Sequence, residues 1–377
     1  MRFLHTADLH LDSAFCACGA KDAQSQREEG RQLLCRVFEC AQSEGCEMIV
    51  IAGDLFDSKF VSPESAELFC SLVEQCSMPV VLAPGNHDPY FENSFYSKAA
   101  ERLGEKLLLF TTPELQVLDI DRLGVRIYGY AFTSGVLPVS PLADADAPQD
   151  NGYLKIFCGH AELDSPLSRY APIMLSELER FGFAYSALGH VHNCREHEDV
   201  EGRVRYSGFA EGRAFDELGE GGVWIVDVDE EKCICERKIL SRKAFYVLDA
   251  ELSAEDDHGE IESKIRGCVQ RSGCGGNSYV RLVLSGMADD AELGLVLRTS
   301  EEIKKSLGLA YLELIDETMP LLDRDYLERD ATLRGELYRT LRPKLMSEDP
   351  SERALALRAL KIGLAAIDGK NIFGVAD

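Results

Sequence analysis

The sequence predicts an α/β fold, with a mixed sheet or two packed sheets and helices outside. Two observations carry this reading. Short β-rich apolar runs alternate with helical patterns from the N-terminus, and beyond about residue 125 the chain turns strand-rich. At 377 residues it is also longer than one compact core supports, so two or three domains are expected.

RFLHTA (2–7), MIVIAG (48–53) and PVVLAP (79–84) read as the early strands, with helical patterns at about 27–44 and 63–76. Ser62 and Pro63 suit an N-cap and first helical position: the hydroxyl accepts from an orphan N–H, and proline lacks the donor that would go unbonded there. VRIYGYAF (125–132), KIFCGH (155–160), YSALGH (185–190) and GGVWIVDV (221–228) supply further strands. Residues 134–151, rich in Pro, Asp and Ala, read as an exposed loop.

From about 243 the rhythm becomes β-α-β-α-β. FYVLDAEL (245–252), a helix over 258–271, the turn GCGGN, YVRLVLSG (279–286), a helix over 289–306 and LAYLELID (309–316) follow in order. After Pro320 the pattern is helical only. Leu333, Leu337 and Leu341 recur at i, i+4 and i+8, and Asp349, Pro350 and Glu352 suit the cap, first turn and third position of another helix. Leu357, Leu360, Leu364 and Ile367 then form a stripe that stops before Gly369. Domain boundaries are expected near 242 and 320.

A composition of 45% hydrophobic and 28% charged residues suits a soluble globular protein. No apolar run reaches the roughly 18–20 residues of a bilayer span. The N-terminus lacks the basic-then-apolar order of a secretory signal, so a cytoplasmic location is expected. Thirteen cysteines, with Cys16/Cys18 and Cys233/Cys235 one residue apart and no CxxC pair, do not read as a zinc ribbon or a disulfide framework. They read as reduced thiols. The net charge of −25 divides as −18 over 1–242, −7 over 243–320 and 0 over 321–377. Broad non-specific nucleic-acid binding rests on a basic surface, which this chain does not have.

Five polar clusters stand at or just after strand ends: Asp8-Leu-His10, Gly53-Asp54, Gly85-Asn86-His87-Asp88, Gly159-His160 and Gly189-His190-Val-His192. Five of the eight histidines fall inside them. His5 sits within the first strand as a structural residue, and His197 and His258 lie in charged stretches and should face solvent. Carboxylate, imidazole and amide oxygen together suit divalent ions such as Mn²⁺, Fe²⁺ or Zn²⁺. Residues two apart on a strand share a face, so Asp8 with His10, or His190 with His192, can point at one ion pair. Glycines ahead of the ligands allow tight turns and close backbone approach.

This set resembles the calcineurin-like metallophosphoesterases, whose pattern is DxH, GD, GNH[DE], an isolated histidine and GHxH. The resemblance implies a four-layer α/β/β/α metallophosphoesterase sandwich and two divalent ions, Mn²⁺ first, with Fe²⁺, Zn²⁺ or Mg²⁺ as alternatives. Carried over by position, Asp8, His10, Asp54 and His192 hold one ion, while Asp54, Asn86, His160 and His190 hold the other, with Asp54 bridging. The family's chemistry is in-line attack on phosphorus by a metal-activated water. His87 is implied to face the phosphate, and Asp88 to orient it.

HTADLHLDSAF and GDLFD look like the SbcD-type DNA repair exonucleases, and YAPI (170–173) with YSGFAEGRAFDELGEGG (206–222) is similar to their YhaO-like branch. That likeness implies a nuclease domain over 1–242, a small α+β capping, DNA-binding domain over 243–320, and C-terminal helices over 321–377 that dock on an SbcC-like ABC-type coiled-coil ATPase. It also implies a homodimer acting on DNA as a 3′→5′ exonuclease with some single-strand endonuclease activity, and no membrane association. The C-terminal helices have a second reading, packing on the chain's own cap. Arg213 reads as a phosphate contact or as a surface arginine, and the cap aromatics Phe245, Tyr246, Tyr279 and Tyr311 as core. The arginine that Ser/Thr protein phosphatases carry after their GD motif is absent from GDLFDSK. A small-molecule or cyclic-nucleotide phosphodiesterase or phosphatase of the same superfamily is the alternative.

Overall fold

The computed structural model describes residues 1–13, 23–147, 152–193, 202–320 and 324–367. Cys16, Cys18, His197, Gly369 and the last part of the 134–151 loop lie outside them. The chain divides into two compact units, Met1–Ala244 and Phe245–Asp377.

The first unit runs β1 (Arg2–Thr6), α1 (Ala23–Ser43), β2 (Met48–Ile51), α2 (Pro63–Gln75), β3 (Val80–Leu82), α3 (Phe95–Leu103), β4 (Leu107–Leu109), β5 (Gln116–Ile120), β6 (Val125–Gly129), β7 (Leu154–His160), β8 (Glu162–Leu163), β9 (Pro172–Ile173), α4 (Leu175–Phe181), β10 (Tyr185–Gly189), β11 (Val204–Tyr206), β12 (Gly222–Val228) and β13 (Cys233–Ile239). One sheet has the order β13-β12-β1-β2-β3-β4 and the other β11-β10-β7-β6-β5.

Period-2 alternation builds the layers. Phe3, Val50 and Val81 point into a core shared with Ile127, Ile156 and Tyr185 of the other sheet. Their neighbours Leu4, Ile49, Ile51, Val80 and Leu82 point the other way, onto Leu34 and Val37 of α1, Phe69 and Val73 of α2, and Ala99 of α3. Phe157 and Leu188 face out of the second sheet against Leu178 and Phe181 of α4. The result is the expected α/β/β/α sandwich, in which each fully buried aliphatic or aromatic side chain contributes about 1.5–3 kcal/mol.

β1, β2 and β3 pair in parallel, so their carboxyl ends meet at one edge of the sheet. β7 and β10 also pair in parallel, with Gly189 opposite His160. Ligands of open α/β sheets gather at such ends. The Ser62 hydroxyl accepts from the Ser65 amide at 3.2 Å and Pro63 opens α2, as the cap pattern predicted.

Several elements were not legible. β4, β5 and β11 are three to five residues long. β13 mixes half-buried with exposed positions along CICERKI and has no fully buried residue. The excursion from 134 is not simply exposed, because Leu142 is fully buried and its carbonyl accepts from Arg180.

The second unit contains β14 (Ala244–Leu252), α5 (His258–Arg271), β15 (Ser278–Ala288), α6 (Asp290–Arg298), α7 (Ser300–Leu307), β16 (Tyr311–Asp316), β17 (Met319–Pro320), α8 (Arg324–Arg329), α9 (Leu333–Leu345) and α10 (Pro350–Ile367). The helix expected over 289–306 breaks into two at Thr299, which closes α6 and opens α7. Val280, Leu282 and Leu284 of β15 pack on Ile261 and Ile265 of α5 and Ile303 of α7. Of the four aromatics read as core, Phe245 is buried at 2% exposure, but only Tyr246 joins that cluster. Phe245, Tyr279 and Tyr311 stack in a row across the opposite sheet face, with centroids 4.9 and 6.1 Å apart. A separate cluster of Leu327, Tyr338, Leu360 and Leu364 holds α8, α9 and α10 together. Among the described helices, none is long and apolar enough to cross a membrane.

Candidate metal centre

β1 ends at Thr6, and the next residues leave the sheet without entering a helix. Asp8 and His10 have φ of 53° and 44°, Asp54 has 48° and His190 has 99°. Non-glycine residues at positive φ cost about 1–3 kcal/mol each and cluster at functional sites. Four of the residues singled out by their spacing are held this way. The strained turns are tied to one another: the Asp8 amide donates to the Gly53 carbonyl and the His10 amide to the Asp54 carbonyl, at 3.1 and 3.0 Å. A Cβ on Gly85 would overlap the Asp54 carboxylate and backbone amide, and one on Gly189 would overlap the Ala52 carbonyl. Glycine is needed at both positions.

Donor atoms of Asp8, His10 and His192 lie within 4.8 Å of one another, as do those of Asp8, Asp54 and His160, and those of His10, Asp54 and His87. Asp54 Oδ2 is 3.3 Å from His160 Nε2 and 3.7 Å from His10 Nε2. Asn86 Oδ1 is 2.9 Å from His160 Nε2. The His190 ring stands 5.1 Å from that of His160, and its amide donates to both Asp8 oxygens. Asp8, His10, Asp54, Asn86, His160, His190 and His192 are therefore brought together at one end of the sandwich.

The electrostatics are those of a centre that accommodates cations. Asp8, Asp54 and His160 are buried at 2%, 2% and 0% exposure. Burial pushes the Asp8 acid up despite the His160 and His192 rings. At Asp54 burial acts the same way, but His160 and His10 outweigh it and hold the acid well below the usual range. Burial alone would lower the His160 imidazole, yet Asp54 raises it to about 9. His190, half-buried beside His160, is driven down to about 3 by that burial and the neighbouring ring. Among the described residues, the buried His10 Nε2 has no hydrogen-bond partner. Buried carboxylates, amide oxygen and an orphaned imidazole nitrogen aimed at them fit divalent ions.

His87 is exposed and its ring lies 4.8 Å from that of His10. Its Nδ1 meets the Asp57 carbonyl at 3.2 Å. Asp88 does not take the place expected of it, beside the His87 ring. Asp88 is buried under the turn, where its oxygens accept from the Gly85 and Phe56 amides at 2.9 Å each and from the Tyr96 hydroxyl. Asp88 shapes the loop, whereas its sequence neighbour faces out.

Arg213 lies half-buried beside His192, with Nε 3.1 Å and Nη2 2.5 Å from Glu217 Oε1 and Nη1 3.6 Å from Asp57. Sequence reasoning missed Asp57, whose Oδ1 accepts from His10 Nδ1 at 3.1 Å, and Glu217, whose Oε1 meets His192 Nδ1 at 2.8 Å. Both stand inside runs quoted above, GDLFD and AFDELGEGG, but nothing in their spacing says which histidine they face. His5 is buried with Nδ1 2.9 Å from the Tyr185 hydroxyl, a structural histidine as expected, while the exposed His258 pairs with Glu292.

A family sequence pattern described as Calcineurin-like phosphoesterase matches residues 1–194. The uncharacterized metallophosphoesterase YhaO of Bacillus subtilis (strain 168) is 26% identical over 362 residues, covering 88% of this chain and 83% of the relative. The SbcD subunit of nuclease SbcCD from Staphylococcus epidermidis is 22% identical over 269 residues, covering 63% and 68%. A solved structure of a dimetal phosphatase from Danio rerio aligns over 63% of this chain and 96% of its own, at 11% identity and a TM-score of 0.40.

Proposed function

We propose a function from one premise: the chain belongs to the calcineurin-like phosphoesterase family. That family is one of hydrolases that bind divalent metal. The proposed activity is metal-dependent hydrolysis of DNA phosphodiesters, as a 3′→5′ exonuclease with some endonuclease activity on single strands. One observation carries the hydrolytic reading: the convergence of Asp8, His10, Asp54, Asn86, His160, His190 and His192 at the strand ends. The choice of DNA is supported by the likeness to a relative named as part of a nuclease.

In this reading Asp8, His10, Asp54 and His192 hold one ion, and Asp54, Asn86, His160 and His190 the other, Mn²⁺ being the proposed metal. When bound, such ions supply Lewis acidity toward the phosphoryl oxygens and acidify a water nucleophile. The protein's own groups do the rest. A carbonyl only accepts, so His87 Nδ1 donates to the Asp57 oxygen, and Nε2 meets the phosphate or protonates the leaving oxygen when the ring carries a second proton there. Residues 243–320 are proposed as the capping, DNA-binding segment. Residues 321–377 are proposed to dock on an SbcC-like ATPase in a dimeric assembly, supported by Tyr326, Leu333, Met346, Leu355 and Ile362, which are all exposed.

The test is a digestion panel with Mn²⁺ over 3′-recessed duplex, single-stranded DNA, a cyclic nucleotide and bis(p-nitrophenyl) phosphate, with His87→Ala as control. Shortening of DNA from its 3′ ends by the wild type alone is expected. Turnover of the cyclic nucleotide with DNA left intact would replace this reading with that of a small-molecule phosphodiesterase.

A further inference from the structure

We infer that Glu217 and Arg213 are positioning residues that set the geometry of the His10–His192 pair, with Arg213 acting as a tie between two carboxylates and not as a contact for substrate. The inference rests on the two-metal reading above. His10 and His192 stand ring to ring, with centroids 5.2 Å apart and planes at 68°. Each presents Nε2 toward the buried carboxylates: His10 to Asp54 at 3.7 Å, His192 to Asp8 at 3.8 Å. Each has its other nitrogen on a carboxylate, His10 Nδ1 on Asp57 at 3.1 Å and His192 Nδ1 on Glu217 at 2.8 Å. A carboxylate at Nδ1 fixes both the tautomer and the rotation of the ring, so that Nε2 is the atom offered to a metal.

Arg213 joins the two supports. Its Nε and Nη2 engage Glu217 and its Nη1 approaches Asp57 at 3.6 Å, while its backbone amide donates to Glu217 Oε2 at 2.8 Å. The planar guanidinium has the fork to span both acids at once, which an ammonium does not. A phosphate would have to displace these carboxylates to be gripped by the same fork. The Glu217 side chain is only 2% exposed. Buried ion pairs contribute little net stability against their desolvation cost. What this one supplies is a fixed spacing between two imidazoles contributed by distant segments.

The test is calorimetric titration of the metal-free full-length chain with MnCl₂, for wild type, Glu217→Ala, Glu217→Gln and Arg213→Gln, alongside melting of each metal-free variant. Glu217→Ala is expected to weaken one of two Mn²⁺ sites by about 10–100-fold and leave the other unchanged. Glu217→Gln keeps an acceptor for His192 Nδ1 and is expected to lose less than the alanine variant. Arg213→Gln is expected to weaken the same site. Two sites at wild-type affinity in Glu217→Ala would overturn the inference, and so would loss of both sites in step with a lowered melting temperature, the mark of a merely structural pair. A wild-type chain that binds no Mn²⁺ would overturn the two-metal reading itself, and the inference with it.

Discussion

Asp88→Ala removes the acceptor of three buried donors at once: the Gly85 and Phe56 amides and the Tyr96 hydroxyl. A buried donor left without a partner costs about 1–3 kcal/mol, so three give about 3–9 kcal/mol where the vacated space admits little water. Part of this is returned, because burial, then the Asp54 carboxylate, pushes the Asp88 acid up to about 7, and the variant relieves that cost. The expected net loss is therefore near the lower end, about 3 kcal/mol, a large share of a typical domain stability of about 5–15 kcal/mol. Urea unfolding can be followed through Trp224, the single tryptophan, which lies in β12 of the same unit. Tyr96→Phe removes one donor and should lose about 1 kcal/mol. A loss below about 1 kcal/mol in Asp88→Ala, with hydrolysis abolished, would refute the structural role and return Asp88 to the service of His87.

Three further outcomes are expected. Burial lowers the His5 imidazole from 6.5 to about 3, so its contribution to stability is complete above pH 6.5 and is lost as pH falls toward 3. At about 1.4 kcal/mol per pH unit, this amounts to about 2 kcal/mol between pH 6.5 and 5. His5→Gln should flatten that slope in urea midpoints taken at the two pH values, and an unchanged slope would count against the assignment. His87→Ala should keep both ions in a metal titration while cleavage of labelled DNA falls by at least about 100-fold; loss of bound metal would contradict its role. Gly85→Ala sets a methyl group against the Asp54 carboxylate, so thermal melting should show about 1–3 kcal/mol of destabilisation, and an unaltered melting temperature would speak against the close approach.

The convergence of the candidate ligands was legible because each follows an apolar run, and the end of a strand in an α/β sheet is a fixed place. Asp8 needed only the strand pattern, and Asp54, His160 and His190 that pattern with the glycine before each, to be brought to the same edge. Orientation was not legible. Asp88 follows His87 directly in sequence, yet successive residues of an irregular loop point apart, and its carboxylate turns inward to Gly85, Phe56 and Tyr96. Asp57 and Glu217 meet histidines 47 and 25 residues away, and that meeting depends on how two loops fold over the strand ends. Arg213 read as a phosphate contact or a surface arginine for the same reason, since its partners, Glu217 and Asp57, come together only in three dimensions. In the second unit, alternation located β14, β15 and β16, but not which face Phe245, Tyr279 and Tyr311 would take. Both faces of that sheet carry apolar residues, so hydrophobicity alone did not separate them.

Two ions sharing Asp54 are the core of the proposed centre. Metal content of the full-length chain, loaded with Mn²⁺, freed of excess by gel filtration and measured by plasma mass spectrometry, tests that most directly. Two ions per wild-type chain and fewer than one per Asp54→Ala chain are predicted. A wild-type chain carrying one ion or none, or an Asp54→Ala chain that still carries two, would contradict it.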